Sequence, residues 1–337
     1  MSFKDIVLIT GGAGFIGSHT IDLFISKGFK VRSIDNLLGG NLKNIEHLKK
    51  EKNFEFVKAD ILKLDKIKKF INECSYVVHF AGIGDIVPSI EDPKRYILNN
   101  ANGTLNLLEN IDTNKIKKFV YAASSSCYGL AKTPTKETNS ISTLYPYALS
   151  KYMGEQIALH WGNVYRLKIN SIRIFNAYGT RSRTSGAYGA VFGVFLKQLI
   201  EKKPLTVVGN GKQKRDFLYV TDVANAFYKA SITKKNLNIW NLGSGNPKSI
   251  NYLIKLLGKP KSVYLPKRPG EPDITYADIT KIKKDLNWKP KVSFEEGVKK
   301  IIDNIDYWRD APLWNKTNIK KATKIWFKYM DKNHEKL

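Results

Sequence analysis

The chain has 337 residues, of which 42% are hydrophobic and 12% aromatic, and its net charge is +26. This hydrophobic content excludes a disordered chain, and two cysteines are too few for a disulfide scaffold but fit a reducing cytoplasm. No apolar run approaches the ~20 residues of a membrane span, and no signal-peptide pattern precedes the first predicted strand. We therefore expect a globular, cytoplasmic protein that is long enough for two lobes.

The positive charge is spread along the whole chain as lysine pairs, such as Lys49-Lys50 and Lys320-Lys321. A nucleic-acid-binding protein more often concentrates its charge in one stripe with interleaved aromatic residues. We therefore expect a solvated basic surface that attracts small anions, and no nucleic-acid or membrane partner. The five histidines are scattered, so no metal site is expected.

The first predicted element is a β-branched strand that begins at Lys4 and runs into a glycine-rich turn and an amphipathic helix. Gly11 allows the tight turn, Gly14 lets backbone amides approach a diphosphate, and Gly17 allows the helix to pack closely on the strand. The positive end of the helix then faces the phosphates. This order of elements predicts a dinucleotide-binding unit.

The second predicted strand runs from Lys30 to Ile34 and ends at Asp35. A carboxylate here accepts hydrogen bonds from the adenosine ribose hydroxyls, and its charge repels a ribose phosphate. The sequence therefore favours NAD over NADP. Arg32, a cation in the same strand, is the feature that argues for NADP.

Strands and helices alternate as far as Phe175, which predicts an α/β, Rossmann-like, doubly wound parallel sheet with helices on both faces. Gly and Pro become frequent afterwards, which predicts a smaller, interleaved α/β substrate-binding lobe. We assign residues 1–175 and about 217–240 to the dinucleotide-binding domain, and residues 176–216 and 241–337 to the substrate-binding lobe.

A downstream helix carries Tyr147 and Lys151, which are four residues apart and therefore lie on one helix face. A nearby cation favours the phenolate, so we expect Lys151 to lower the pKa of Tyr147 and make it a usable base. With the dinucleotide cradle, this pair predicts a reversible oxidation at a carbinol.

The Gly-xx-Gly-xx-Gly spacing together with Tyr147 and Lys151 resembles the extended short-chain dehydrogenase/reductase family, specifically its nucleotide-sugar epimerases related to UDP-galactose 4-epimerase. The resemblance covers nearly the whole chain. It implies NAD as a cofactor that stays bound through turnover. The cofactor-binding residues that it implies are Gly11, Gly14, Phe15, Ile16, Gly17, Asp35, Asn36, Asp60, Ile61, Phe80, Ala81, Gly82, Asn99, Tyr147 and Lys151.

The resemblance also implies the catalytic residues. Tyr147 removes the proton of the sugar 4-hydroxyl, Ser124 shares that hydrogen bond, and Lys151 holds the nicotinamide ribose. The reaction passes through a transient 4-keto sugar. The substrate-binding residues that it implies are Ser124, Ser126, Asn176, the diphosphate arginines Arg215 and Arg268, and Thr275, a small residue that admits N-acetylated sugars.

Two serines discriminate between reactions within the family. The 4,6-dehydratases usually carry Asp-Glu directly after the catalytic Ser or Thr, and the decarboxylases keep the Glu, but this chain has Ser125 and Ser126. The residues favour a 4-epimerase of a UDP-hexose or UDP-N-acetylhexosamine. A uronate 4-epimerase, a decarboxylase, a dehydratase and a non-catalytic dinucleotide-binding protein remain alternatives.

Family resemblance further implies a homodimer formed through helices near residues 99–110 and 150–163, and a role in carbohydrate metabolism such as polysaccharide biosynthesis. The segment from Leu205 to Asp222 resembles a hairpin of the substrate lobe. The aromatic residues between Ile301 and Met330 are expected to pack terminal helices.

Overall fold

The computed structural model describes residues 5–182 and 191–330. Lys4, where the first strand is predicted to begin, lies outside the described residues, as do the outer ends of both predicted domains. The strands are β1 Ile6–Thr10, β2 Lys30–Asp35, β3 Phe54–Lys58, β4 Tyr76–His79, β5 Lys118–Ser124, β6 Ile169–Ile174, β7 Asn176–Tyr178, β8 Leu205–Val208, β9 Lys214–Arg215, β10 Phe217–Tyr219, β11 Asn238–Leu242, β12 Lys248–Ser249 and β13 Ser262–Leu265.

The α-helices are α1 Phe15–Ser26, α2 Lys68–Asn72, α3 Val87–Glu91, α4 Pro93–Ile97, α5 Gly103–Asn110, α6 Pro146–Val164, α7 Val191–Ile200, α8 Val220–Ile232, α9 Ile250–Leu256, α10 Thr280–Leu286, α11 Phe294–Asp303, α12 Lys316–Ala322 and α13 Lys324–Met330. Short 3₁₀ helices span Leu42–Asn44, Glu46–Leu48, Asp65–Ile67, Ser125–Tyr128 and Ile305–Trp308, and a π-helical turn spans Leu98–Asn102. No helix in the described ranges has the length and apolar content that crossing a bilayer requires.

Seven parallel strands form the main sheet in the order β11-β6-β5-β4-β1-β2-β3. The strand order reverses between β1 and β4, and ligands of such sheets bind at the carboxyl ends of the strands that flank this switch point. The predicted Rossmann-like parallel sheet is confirmed. Its topology places the end of β1, where the glycine-rich turn begins, at the expected binding edge.

Alternating side chains of β1 fill two cores, because successive residues of a strand point to opposite faces. Val7 and Ile9 pack in the cluster that contains Phe24 of α1 and Phe227 of α8, whereas Leu8 packs in the cluster on the other face. All three strand residues are fully buried. The hydrophobic run of β1 is therefore explained by a central strand that is covered on both sides.

The second lobe has its own aromatic core, which includes Phe192, Phe195 and Trp308. Its strands pair in short sheets, and β8 pairs in parallel with β13. The predicted hairpin between Leu205 and Asp222 is therefore wrong, because β8, β9 and β10 each pair with a distant strand. Long-range pairing of this kind leaves no local turn signal.

The assignment of residues to the two lobes stays a prediction, but two packing features bear on it. Strand β11 joins the main sheet beside β6, and α8 packs against α1. Residues 277–288, which the sequence assigns to the substrate lobe, contribute Ile282 and Trp288 to the core of the main sheet. The chain therefore crosses between the lobes more than once.

Candidate active site

A cleft of about 750 Å³ opens at the carboxyl ends of the central strands. It brings together residues from Gly11 to Asn176, which are far apart in the sequence and which the sequence assigned to one site. The predicted residues that line it are Gly11, Gly14, Phe15, Ile16, Gly17, Asp35, Asn36, Ile61, Phe80, Ala81, Gly82, Asn99, Ser124, Tyr147, Lys151 and Asn176. Asp60, Ser126, Arg215, Arg268 and Thr275 do not line this cleft.

The glycine-rich turn has no room for a side chain at Gly11 or Gly17. Gly11 has a φ of +70°, and a β-carbon added there would lie 2.8 Å from the amide nitrogen of Ala81. A β-carbon on Gly17 would lie 2.2 Å from the carbonyl oxygen of Gly11. Gly14 precedes α1 and offers no side-chain cap, which leaves amides of the first helical turn available to an anion.

Asp35 closes the same end of the cleft. Its carboxylate accepts hydrogen bonds from the amides of Ala13 (3.1 Å) and Leu37 (2.8 Å). Burial raises the pKa of Asp35, and these two bonds oppose that shift. The carboxylate is thereby held rigidly at the end of β2, where an adenosine ribose is expected.

Arg32 does not reach the cleft. Its Nε donates to Glu55 over 2.8 Å, Nη1 donates to the carbonyl of Phe70 over 2.8 Å, and Nη2 lies 2.5 Å from Glu73. The guanidinium is thus committed to structural partners, which removes the argument for NADP that the sequence raised.

Asp60 lies behind Asn36. The Nδ2 of Asn36 donates to Asp60 Oδ2 over 3.1 Å, and the Oδ1 of Asp60 accepts from the amide of Leu62. Asp60 therefore orients Asn36, which lines the cleft. Its predicted contact with the cofactor stays a prediction.

Ser124, Tyr147 and Lys151 meet near the middle of the cleft. Ser124 is the last residue of β5, and Pro146 begins α6, so the phenol and the ammonium project from its first two turns. The side chains of Tyr147 and Ser124 are hydrogen-bonded. The Nζ of Lys151 lies 4.5 Å from the centre of the Tyr121 ring, and the Tyr121 hydroxyl donates to the Lys151 carbonyl.

The pKa of Tyr147 differs from the expectation drawn from the sequence. Burial raises the pKa of Tyr147; the hydrogen bond from Ser124 lowers it, and the carboxylate of Asp85 raises it further. The expectation of a lowered Tyr147 pKa is therefore wrong, because desolvation outweighs the hydrogen bond from Ser124. Burial also lowers the pKa of Lys151 to about 8, partly opposed by Glu155.

Asn100 is a residue that sequence reasoning missed. Its side chain is buried, accepts from the amide of Ile83 over 2.7 Å, and donates to the Ile83 carbonyl and to Ser150 Oγ. It therefore ties the cleft loop at residues 80–85 to the helix that carries Lys151. Its position in the Asn99-Asn100 pair was the available signal.

The predicted substrate residues are only partly brought together. The hydroxyl of Thr275 donates to Asn176 Oδ1 over 2.6 Å and accepts from the amide of Asp216. Thr275 therefore touches the cleft through Asn176. The side chain of Ser126 is hydrogen-bonded to the phenol of Tyr145.

Arg215 lines a separate, smaller cavity of about 310 Å³. Its guanidinium donates to the carbonyl of Pro272 over 2.9 Å and pairs with Glu271 over 3.1 Å. Arg268 is buried, with 8% of its surface exposed. Neither arginine lines the cleft, so their predicted contact with the substrate stays a prediction.

Known proteins share this architecture. Residues 8–301 match the family model described as GDP-mannose 4,6 dehydratase. The chain is 36% identical to a UDP-glucuronate 4-epimerase of Thermodesulfobacterium geofontis, over 94% of this chain and 98% of that protein.

Two solved structures show the same fold. A UDP-N-acetylglucosamine 4-epimerase from Methanobrevibacter ruminantium superposes with a TM-score of 0.83 at 30% identity, over 90% of this chain and 100% of that one. A UDP-glucuronic acid 4-epimerase from Bacillus cereus, in complex with UDP-glucuronic acid and NAD, superposes with a TM-score of 0.82 at 33% identity. This match covers 89% of this chain and 99% of that structure's chain.

Proposed function

Because this chain belongs to the GDP-mannose 4,6 dehydratase family of extended short-chain dehydrogenases/reductases, as its motifs predicted, we propose that it is an NAD-dependent nucleotide-sugar 4-epimerase. The observation that carries this proposal is the convergence of Ser124, Tyr147 and Lys151 beside a glycine-rich dinucleotide cradle in one cleft. The relatives whose names specify an activity include UDP-sugar 4-epimerases.

The cradle fits NAD. The turn at Gly11 and Gly17 has room only for backbone, and the fixed carboxylate of Asp35 suits two ribose hydroxyls but opposes a ribose phosphate. When bound, NAD supplies the acceptor and donor of the hydride at carbon 4 of the sugar. The chain's own residues hold it and move the proton.

Tyr147 is the proton-transfer group in this mechanism. Its phenol is hydrogen-bonded to the side chain of Ser124. This interaction keeps the phenol oxygen in place to accept the 4-hydroxyl proton and to return it. Lys151 contributes a cation from the next helical turn, held by the Tyr121 ring. Because burial opposes the phenolate, we propose that Tyr147 becomes a base only after bound ligands have added positive charge to the site.

The substrate diphosphate is proposed to bind between Asn176, Arg215 and Arg268. A guanidinium pairs two phosphate oxygens at once. Since Arg215 is paired with Glu271, the diphosphate must compete with that carboxylate. Anchoring the diphosphate leaves the sugar free to turn between its two faces, which a 4-epimerase requires.

A uronate 4-epimerase is the second candidate, favoured by the 36% identical relative. A decarboxylase or a dehydratase is disfavoured, because the turn Ser125–Tyr128 carries hydroxyls where those reactions need carboxyl groups. The test is proton NMR of the purified protein, without added NAD, incubated separately with UDP-glucose, UDP-N-acetylglucosamine and UDP-glucuronate. A galacto product identifies the substrate. A pentose or keto-deoxy product, or no product from any of the three, contradicts the proposal.

We further propose a cytoplasmic homodimer that acts in carbohydrate metabolism, such as polysaccharide biosynthesis. Exposed apolar side chains on or beside the two helices of the expected interface support the dimer: Leu98, Leu149, Val164 and Tyr165 are 38% to 53% exposed. Light scattering coupled to size-exclusion chromatography tests it. A monomer at micromolar concentration would contradict it.

We expect Thr275→Tyr to lose activity on UDP-N-acetylglucosamine before activity on UDP-glucose. The Thr275 hydroxyl lies 2.6 Å from Asn176, so a ring at position 275 extends toward the substrate end of the cleft. Steady-state kinetics on both substrates measure this. Thr275→Val is the matched control, because it removes the hydrogen bond without adding volume and should affect both substrates alike. Equal losses in Thr275→Tyr would eliminate Thr275 as a size gate.

We expect kcat/KM to fall as the pH rises through about 8. The pKa of Lys151 is lowered to about 8, so its cation dominates below that pH and is lost above it. The raised Tyr147 pKa places that group's own titration at higher pH. Since kcat/KM reports the free enzyme, a profile from about pH 6 to about pH 10 measures the loss. Melting temperatures across the range control for unfolding, and a flat alkaline limb would contradict the assignment.

A further inference from the structure

Helices α12 and α13 lie outside the span matched by the family model, which ends at residue 301. Helix α13 nevertheless packs against α3, whose residues Pro88 and Glu91 line the cleft. The centre of this contact is Trp326, which is 1% exposed. Its apolar cluster comprises Ile86, Val87, Ile90, Leu144, Tyr145, Ile325, Trp326 and Met330.

Trp326 contacts three segments that are far apart in the sequence. Its ring lies 5.7 Å from the ring of Tyr145, its cluster includes Val87 of α3, and its Nε1 donates to the carbonyl of Pro269 over 2.8 Å. A buried indole with a satisfied N–H combines large apolar contact with one directional bond. The three segments are therefore held in a fixed relation to one another.

Each of these segments adjoins a residue that lines the cleft or that is assigned to the substrate. The Tyr145 ring lies parallel to that of Tyr147, with ring centres 6.4 Å apart, and the Tyr145 phenol is bonded to Ser126. Helix α3 follows Asp85, which lines the cleft and acts electrostatically on Tyr147. Pro269 directly follows Arg268.

We propose that Trp326 is a positioning residue that sets the substrate end of the cleft by joining the start of α6, helix α3 and the loop at Arg268. The proposal rests on the proposed function for its substrate class, a nucleoside-diphosphate sugar. The Trp326 cluster includes no residue of the glycine-rich turn. Loss of Trp326 should therefore weaken the binding of UDP and of UDP-sugars without releasing NAD.

The test compares Trp326→Ala and Trp326→Phe with Trp288→Phe. Trp288 is a matched control, because it is also 1% exposed and its Nε1 also donates to a backbone carbonyl, that of Asp222, but it packs in the core of the main sheet. Hydrogen–deuterium exchange is measured over residues 84–92 and 266–272. The affinity for UDP is measured by calorimetry, and NAD is counted per subunit after denaturation.

We expect both segments to exchange faster in Trp326→Ala and the dissociation constant for UDP to rise about tenfold, with NAD content unchanged. Trp326→Phe should recover part of the loss, because it keeps the ring contact with Tyr145, and it carries the test if Trp326→Ala does not fold. Trp288→Phe should lower the melting temperature and leave both segments and UDP affinity unchanged.

Unchanged exchange in both segments of the Trp326 variants would overturn the proposal. So would a parallel loss of UDP and NAD, since it would show a general structural role. None of the three readouts needs turnover. If the unaltered protein converts no UDP-sugar, the epimerase assignment fails, while the exchange data still decide the role of Trp326.

Discussion

Replacing Tyr147 by phenylalanine should lower the turnover of the preferred UDP-sugar by about three orders of magnitude, within the range that a positioned proton-transfer group contributes. The variant loses only the hydroxyl that is hydrogen-bonded to Ser124. Ring packing against Tyr96 and Tyr145 remains, so folding, NAD content and substrate affinity should persist. Turnover is measured by NMR, NAD by release on denaturation, and substrate affinity by calorimetry.

Tyr145→Phe is the matched control for that experiment. Tyr145 is two residues away, its ring is parallel to that of Tyr147, and its phenol is bonded to Ser126. Its hydroxyl is not assigned to proton transfer, so its removal should cost far less turnover. Full activity in Tyr147→Phe, or an equal loss in both variants, would remove Tyr147 from its assigned role.

Replacing Arg173 by leucine should destabilise the protein by about 3–5 kcal/mol, because it leaves the buried carboxylate of Glu155 unpaired. The Nε of Arg173 donates to both carboxylate oxygens of Glu155 at 3.0 and 3.1 Å, and the side chains are only 4% and 1% exposed. Arg173 also donates to the hydroxyl of Tyr128 over 2.7 Å. The free energy of unfolding from urea titration measures the effect.

A double variant with leucine at positions 155 and 173 separates pairing from burial. Removing both charges should cost less than the sum of the two single losses, because neither partner then remains unpaired. Lys299→Ala is the exposed control: its pair with Asp303 is 75% and 54% exposed and contributes only about 0.5 kcal/mol or less. A loss in Arg173→Leu as small as that in Lys299→Ala would contradict a structural role for the buried pair.

The buried pair also connects to the active site. Glu155 lies one helical turn beyond Lys151 and raises its pKa, so it favours the cation that burial opposes. Arg173 balances the charge of Glu155 and also donates a hydrogen bond to the Tyr128 hydroxyl. That hydroxyl in turn donates to Asn241 in β11. The network thus couples the catalytic helix to two strands of the main sheet, and the motifs of the sequence do not mark it.

What the sequence by itself determined is the fold class, the family and the residues that converge on the cleft. Glycines at positions 11, 14 and 17, a carboxylate at the end of β2 and the Tyr147–Lys151 spacing all act locally. A tight turn, a helix N-terminus and an i, i+4 pair are properties of neighbouring residues. Their chemistry can therefore be inferred from the order of residues.

Only the tertiary structure decided the electrostatics and the long-range contacts. The raised pKa of Tyr147 depends on how much of the phenol is desolvated. Arg32 cannot bind a ribose phosphate because it is paired with Glu55 and Glu73. The pairing of β8 with β13 and the contact of Trp326 with Tyr145 join residues far apart in the chain. Burial and packing depend on elements that meet only when the chain folds, so no local pattern encodes them.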